Sequence, residues 1–340
     1  MSQYYYNPFG SSNDVNAARE AQFRLQQQEA REKKEIRMIS LSMACAIIAY
    51  LLIQSLFVVI LNAAGLYGLY ESSPIFQYAF SIIGVSVCAV AVPFGIMALI
   101  NRKKYVTPLF PAKKVKPLTA CAWVFFGALC CVAANIIVSY VVSLTKILFG
   151  YELTQSTAAN PDSVFACIME FIAMAIVPAI CEEFAMRCCS LQLLKKYGTG
   201  FAVFAVSIVF GLLHGNVIQF IFAFLIGIVL AVVTVKTENI LPAIFIHALN
   251  NSMSVTQNIV QTYLGDDKAE DTAIIMYILL AVLGIVSAVY LFFTKQFKTE
   301  KQKSVGVLSN GEKFKAFIFP WMIVPFILLI ALTLQTVKKI

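Results

Sequence analysis

The sequence predicts an all-α membrane protein, a polytopic transmembrane helical bundle with about eight or nine membrane-spanning helices. Hydrophobic residues make up 60% of the 340-residue chain and charged residues 13%. Soluble domains have roughly 45–50% apolar and about 25% charged residues. The apolar residues also fall into runs long enough to cross a bilayer as helices. Most of the chain is therefore expected to lie in one membrane-embedded bundle.

A polar tail precedes the apolar runs. Residues 1–37 predict a cytoplasmic tail that contains the helix-forming stretch AAREAQFRLQQQEAREKKEIR and lacks the apolar core of a signal peptide. The apolar runs predict spans at about 38–62, 76–100, 118–148, 164–194, 201–214, 217–235, 239–256, 272–293 and 316–337.

Basic residues mark alternate loops and so predict the orientation. They cluster in the tail, at 101–117, at Lys195 and Lys196, at Lys236 and at 295–315. The positive-inside rule therefore places the N-terminus in the cytoplasm. Nine full spans would put the C-terminus outside, whereas Lys338 and Lys339 favour the inside, so the count stays at eight or nine. These loop positions also account for the net charge of +8, and we expect no nucleic-acid partner.

The nine cysteines all fall in or beside apolar stretches, so a disulfide framework is not expected. The adjacent pairs Cys130–Cys131 and Cys188–Cys189 lack the spacing of a zinc ribbon. We interpret the cysteines as small apolar packing residues.

Ionisable residues inside the later runs are the strongest functional signal. The only two histidines, His214 and His247, lie in apolar segments downstream of the adjacent carboxylates Glu182 and Glu183. Ionisable side chains are costly inside a bilayer and usually face a bundle interior or a polar cavity. The sequence therefore predicts a functional site at these residues.

The expected depths of these residues agree. At about 1.5 Å per helical residue, Glu182 lies roughly 20 Å from Lys195, His214 roughly 21 Å from Gly200, and His247 roughly 15 Å from Lys236. Side chains at one level of the bilayer can share a pocket. We expect one pocket built from three helices and reached from the membrane or the cytoplasmic side.

The residue types suit hydrolysis. A buried glutamate can serve as general base toward water, and Arg187, four residues after Glu183, makes Glu183 the expected structural partner and Glu182 the expected base. His214 would orient the water or share its proton. His247 and Asn251, four residues apart on one helix face, would supply neutral donors to an oxyanion.

A metal site is the alternative for the same residues. Glu182, His214 and His247 match the His/His/Glu set of catalytic zinc sites, and the sequence leaves Zn²⁺ and metal-free chemistry open. Glu170, twelve residues before Glu182, is rotated away from it on an ideal helix. We interpret Glu170 as an outer-end or packing residue.

Three ordered motifs carry a family resemblance. CEEFAMR contains EExxxR, FGLLH contains FxxxH and HALNN contains HxxxN. Residues 160–256 resemble the CPBP intramembrane proteases, the family of the CAAX prenyl endopeptidase and the bacterial Abi proteins. The resemblance implies that Glu182 and His214 activate water and that His247 and Asn251 form the oxyanion hole, by a glutamate-type or metal-dependent mechanism. Cys188 departs from the pattern, since a glycine is frequent there.

The resemblance implies an intramembrane endopeptidase acting on a membrane peptide or protein, with or without a prenyl group, in the plasma membrane of a bacterium. On this basis the chain divides into the tail (1–37), N-terminal helices (38–160), catalytic helices (161–256) and C-terminal helices (257–340). A non-proteolytic immunity or scaffold protein that binds peptides in the same pocket is the alternative. A secondary transporter is weaker, because no internal repeat is evident.

Overall fold

The computed structural model describes residues 12–105, 108–154, 159–298 and 306–339, which form helices almost throughout. The all-α fold class is therefore confirmed. The α-helices are α1 (Ser12–Ala63), α2 (Tyr67–Ser72), α3 (Pro74–Phe80), α4 (Val92–Ile100), α5 (Pro117–Phe149), α6 (Val164–Glu170), α7 (Val177–Glu183), α8 (Gln192–Leu194), α9 (Thr199–Leu212), α10 (Val217–Thr237), α11 (Leu241–Leu264), α12 (Asp266–Phe293), α13 (Asn310–Ile318) and α14 (Ile323–Leu334). Two short strands, β1 (Tyr151–Leu153) and β2 (Val337–Lys339), form one antiparallel pair.

Each predicted apolar run forms helix, but fewer helices than expected are clear membrane spans. Among the described residues, six helical segments are long and apolar enough to cross a bilayer, or seven if α13 and α14, bent by 82°, make one broken span. Helix α9 has only 14 residues. Helix α11 has the length, but its three asparagines, two glutamines and one histidine make it too polar. The expected eight or nine spans counted these two helices.

Helix α1 runs without a break from the predicted tail into the first span. Its polar half contains strong helix formers and the i,i+4 ion pairs Arg24–Glu20 at 3.3 Å and Arg31–Glu35 at 3.2 Å, which favour helix in water. Residues 1–11 of the predicted tail lie outside the described residues.

The segment from Val164 to Tyr197 is one long helical run interrupted by wider turns. It is π-helical at Phe171–Ile176 and again at Phe184–Leu191, on either side of α7. Pro178 lies in the first turn of α7 and has no N–H to donate to the carbonyl of Met174, four residues earlier. The helix changes type at this proline, from the π-helical turn to the α-helix α7.

Close helix contacts surround the later helices. Trp123 of α5, Ile246 of α11 and Leu291 of α12 belong to one buried cluster. A Cβ atom at Gly127 would overlap the side chain of Ile246, so glycine lets α5 approach α11 beside His247. Exposed apolar side chains such as Ile147 and Phe293 (76% exposed each) suit contact with lipid.

The two ends of the bundle are distinguished by their contacts. Glu35 of α1 accepts a hydrogen bond from Tyr197 at 2.8 Å and lies 3.3 Å from Lys196. Strand β2 pairs with β1 at the opposite end of α9, a helix about 21 Å long. The described C-terminal residues therefore lie at the end opposite to Lys196.

Candidate active site

The two adjacent glutamates have different surroundings. The side chains of Glu183 and Arg187 are both 0% exposed, and Arg187 Nε lies 3.0 Å from Glu183 Oε2. The Glu182 side chain is 24% exposed, and its buried Oε2 atom has no hydrogen-bond partner among the described residues. Glu183 is thus enclosed by partners, whereas Glu182 is free to accept a hydrogen bond.

His247 joins both glutamates. Its Nδ1 lies 3.0 Å from Glu183 Oε1 and its Nε2 lies 3.9 Å from Glu182 Oε2. A carboxylate oxygen accepts, so the hydrogen in the short contact belongs to His247 Nδ1. A neutral His247 then has no hydrogen on Nε2. The expectation that His247 acts as a neutral donor therefore does not fit this geometry.

His214 lies in the turn after α9, where Gly215 has a positive φ of 60° that glycine adopts easily. Its Nδ1 lies 2.8 Å from the carbonyl oxygen of Phe210. Because a carbonyl only accepts, Nδ1 carries the hydrogen and Nε2 of a neutral ring is left as an acceptor. The backbone thus sets the tautomer of His214.

The ring of Phe210 contacts three of the predicted site residues. It makes edge contacts with His214, at 5.0 Å between ring centroids, and with His247 at 5.9 Å. The guanidinium carbon of Arg187 lies 5.0 Å from its centroid. Phe210 therefore packs between the turn that carries His214 and helix α11, which carries His247.

Asn251 is placed differently from the expected oxyanion donor. Its Nδ2 donates to the carbonyl oxygen of Met174 at 3.1 Å, the carbonyl that cannot receive an N–H from Pro178. Asn250 donates to Asn251 Oδ1 at 3.3 Å. Asn251 therefore supplies a side-chain donor to the π-helical turn at Phe171–Ile176.

Two adjoining cavities meet at His214. The smaller, about 140 Å³, contains Glu182 and His214 in its wall, which is completed by Tyr50, Val85, Val90, Met186, Phe210, Leu213 and Gln219. Each water in the liquid occupies about 30 Å³, so a few waters or a peptide group would fit. The larger, about 500 Å³, shares Tyr50, Leu213 and His214 with it and extends to Thr154 and Lys338.

The larger cavity lies at the end of the bundle opposite to Lys196. The sequence predicted access from the membrane or the cytoplasmic side, where Lys195 and Lys196 were expected. The residues that the structure describes around the larger cavity include Gly215, Gln335 and Thr336, all at the other end.

The described residues do not form the three-ligand group that the zinc alternative requires. Among the described residues, no three His, Cys, Asp or Glu side chains lie close enough together to hold one metal ion. The types of Glu182, His214 and His247 suit zinc, and the Nδ1 contacts of the two histidines leave their Nε2 atoms as possible ligands. The three side chains are nevertheless not gathered around one point, so the arrangement does not fit a metal site as it stands.

The structure brings together most of the residues that the sequence singled out, and it adds a wall of the cavity that the sequence did not predict. Glu182, Glu183, Arg187 and His247 come together as a cluster, and His214 shares the cavity with Glu182. Tyr50 and Gln219 were not predicted. Tyr50 lies on α1, far from the motifs, and no spacing rule connects it to them.

The comparison with protein families agrees with the resemblance. Residues 164–253 match the family model described as type II CAAX prenyl endopeptidase Rce1-like. The matched stretch includes all three motifs and leaves residues 38–163 and 254–340 outside it. No curated protein and no solved structure matches the chain significantly. The family resemblance is confirmed, and it is to a family of membrane proteases.

Proposed function

We propose that this chain is an intramembrane endopeptidase in which Glu182 activates water. The observation that carries the proposal is the contrast within the glutamate pair: Glu183 is fully buried between Arg187 and His247, whereas the Glu182 side chain is 24% exposed and lines a cavity. A general base needs access to the water whose proton it removes. Glu182 meets that requirement and Glu183 does not.

His214 orients the attacking water in this mechanism. Its Nδ1–H is held by the Phe210 carbonyl, so Nε2 accepts one hydrogen of a water in the shared cavity. Glu182 takes the other hydrogen as the water oxygen attacks the carbonyl carbon of the peptide. Protonated Glu182 then delivers that hydrogen to the leaving amine, which balances the reaction.

His247 stabilises the developing oxyanion in its doubly protonated form. The Nδ1–H is directed to Glu183, and the Nε2–H is the group left to donate. Glu182 and Glu183 supply two negative charges beside Arg187, so an imidazolium at His247 makes the cluster neutral. Neutrality is favoured because unpaired charge is costly in a membrane interior.

Asn251 acts as a positioning residue in this proposal. Its bond to the Met174 carbonyl ties α11 to the helix turn that precedes α7. That bond fixes His247, on α11, relative to Glu182, at the end of α7. The proposed oxyanion donor is therefore His247, with Asn251 supporting it.

The proposed substrate is a peptide segment of a membrane-associated protein or peptide, with or without a prenyl group. The family match supports a substrate in or at the bilayer. The chain is a multi-pass membrane protein. We place its N-terminus in the cytoplasm and its C-terminus outside in a bacterial plasma membrane. An epitope tag at the C-terminus should be detected on intact cells, and detection only after permeabilisation would reverse this orientation.

The test is cleavage of a membrane-peptide library by the purified, detergent-solubilised protein. Wild type, Glu182→Gln and His247→Ala are compared, each with and without a chelator. We expect wild type alone to cleave and the chelator to leave cleavage unchanged. Chelator-sensitive cleavage would replace the metal-free mechanism. Equal cleavage by the variants would reject the site, and a wild type that binds peptides without cleaving them would favour the immunity or scaffold role.

A further inference from the structure

The turn that carries His214 is held by segments outside the helices of the family match. Helix α9 ends at Leu212, so the backbone of His214 lies beyond its last turn. The Tyr50 hydroxyl of α1 donates to the carbonyl oxygen of Leu213 at 2.8 Å. The His214 turn, residues 213–217, is therefore anchored on its N-terminal side by the first span.

Thr154, the residue after strand β1, anchors the other side of the turn. Asn216 caps α10 by accepting a hydrogen bond from the backbone N–H of Gln219 at 3.1 Å. The Asn216 Nδ2 donates at the same time to the carbonyl oxygen of Thr154 at 2.6 Å. Asn216 is 6% exposed, so water could hardly replace these two hydrogen bonds if they were broken. One side chain thus joins the His214 turn to the loop after α5.

The C-terminal segment completes the anchoring. The backbone N–H of Val217 donates to the Thr336 hydroxyl oxygen at 3.3 Å, and that hydroxyl donates to the Thr333 carbonyl at 2.7 Å. Thr154 also donates to the Thr336 carbonyl from both its backbone N–H, at 2.9 Å, and its hydroxyl, at 3.1 Å. The pairing of β1 with β2 continues from this point.

We propose that the segment from Thr333 to Lys339 is a strap that positions His214, with Thr336 as its positioning residue. The inference rests on the proposed function, in which His214 orients the attacking water. Small displacements of a catalytic group lower the rate strongly. The backbone bonds of the turn itself, from His214 to Gly211 and from Gly215 to Leu212, lie on its N-terminal side. The contact between Val217 and Thr336 therefore helps to hold its C-terminal side and limits the movement of His214.

Two threonines on the same stretch give a matched test. Thr336→Val removes the hydroxyl that binds the His214 turn. Thr333→Val removes a hydroxyl that, in the part of the chain that the structure describes, donates to Leu329 within α14 at 2.8 Å and does not reach the turn. Thr336→Ser keeps the hydroxyl. We expect kcat to fall about fivefold in Thr336→Val, with KM unchanged, and to stay near the wild-type value in the other two variants.

Hydrogen exchange tests the strap without any cleavage. In the full-length, detergent-solubilised protein, Thr336→Val should speed exchange of the amides at residues 213–217, and Thr333→Val should not. If wild type cleaves nothing, the proposed function fails while the exchange result still decides the strap. The strap is rejected if Thr336→Val and Thr333→Val exchange alike at this turn, or if Thr336→Val lowers kcat no more than Thr333→Val does.

Discussion

Two carboxylates on one membrane segment show what separates a reactive group from a structural one. Glu170 and Glu182 both belong to the run from Val164 to Tyr197, and each has a buried Oε2 atom without a hydrogen-bond partner among the described residues. Glu182 opens on a cavity beside His214. Glu170 is 1% exposed and lines neither of the two cavities.

The surroundings of Glu170 are those of a packing residue. Asn258 donates to Glu170 Oε1 at 2.7 Å, and also lies 3.4 Å from the carbonyl oxygen of Ala159. The buried Tyr78 donates to that same carbonyl at 2.7 Å. Glu170 therefore helps to join α6, α11 and the loop before α6, which agrees with its interpretation from the sequence.

Burial of a carboxylate in the membrane is thus not sufficient evidence of catalysis. The cost of burying an ionisable group marks both glutamates as candidates. The two glutamates differ in their access to a cavity and in their neighbouring side chains. Of the two, Glu182 lines a cavity, lies near His247 of another helix and stands beside the second carboxylate of Glu183.

The largest stability effect is expected at Glu183. Glu183→Gln leaves Arg187 buried without its countercharge and weakens the bond to His247, so the free energy of unfolding should fall by about 3–5 kcal/mol. SDS titration followed by circular dichroism would measure it. Glu182→Gln is the matched control and should change stability by less than about 1 kcal/mol. Equal losses would mean that the two glutamates are not distinguished by their pairing.

A second effect is expected when both members of the buried ion pair are replaced. Adding Arg187→Met to Glu183→Gln removes the orphaned charge, so the double variant should be more stable than the sum of the two single losses predicts, by about 1–3 kcal/mol. The same SDS titration of wild type, the two single variants and the double variant measures this coupling as a double-mutant cycle. Additive losses would show that Arg187 and Glu183 do not act as a pair.

A smaller effect is expected at Asn251. Asn251→Ala leaves the Met174 carbonyl without its side-chain donor, and the free energy of unfolding should fall by about 1–2 kcal/mol. Asn250→Ala is the control, because the side-chain hydrogen bond that Asn250 makes among the described residues goes to Asn251 and to no backbone group, and we expect a change within about 0.5 kcal/mol. A larger loss at Asn250 would contradict the assigned role of Asn251.

The smallest effect is expected at Glu170. Glu170→Gln keeps an oxygen that can accept from Asn258 and removes the need to bury a charge, so stability should change by less than about 1 kcal/mol. Cleavage should continue at the wild-type rate in the library assay. A strong loss of cleavage without a loss of folding would show that Glu170 takes part in the chemistry.

The sequence predicted the helical fold and the cluster of ionisable residues for physical reasons. Long apolar runs require helices in lipid, and the equal depths of Glu182, His214 and His247 follow from helical rise. The expected common depth agrees with the positions of Glu182 and His247, whose side chains approach within 3.9 Å. His214 reaches the same cavity as Glu182, but from a turn beyond the end of α9 and not from within a helix.

Other features depend on contacts that sequence spacing does not encode. Tyr50 and Thr336 reach the His214 turn from opposite ends of the chain. The bond from Asn251 to the Met174 carbonyl joins two helices, so a pattern within α11 alone did not predict it. The sequence predicted eight or nine spans, and six or seven are identified among the described residues, because a short or polar helix that packs inside a bundle can resemble a run that crosses it.

The most direct test compares cleavage of one library peptide by wild type, Glu182→Gln and Glu170→Gln under single-turnover conditions, after confirming that all three proteins are folded. We expect the single-turnover cleavage rate of Glu182→Gln to be about 10²–10⁴-fold lower than that of wild type, and Glu170→Gln to cleave at the wild-type rate. Equal rates for Glu182→Gln and wild type, or equal losses in the two variants, would contradict the claim that cavity access makes Glu182 the base.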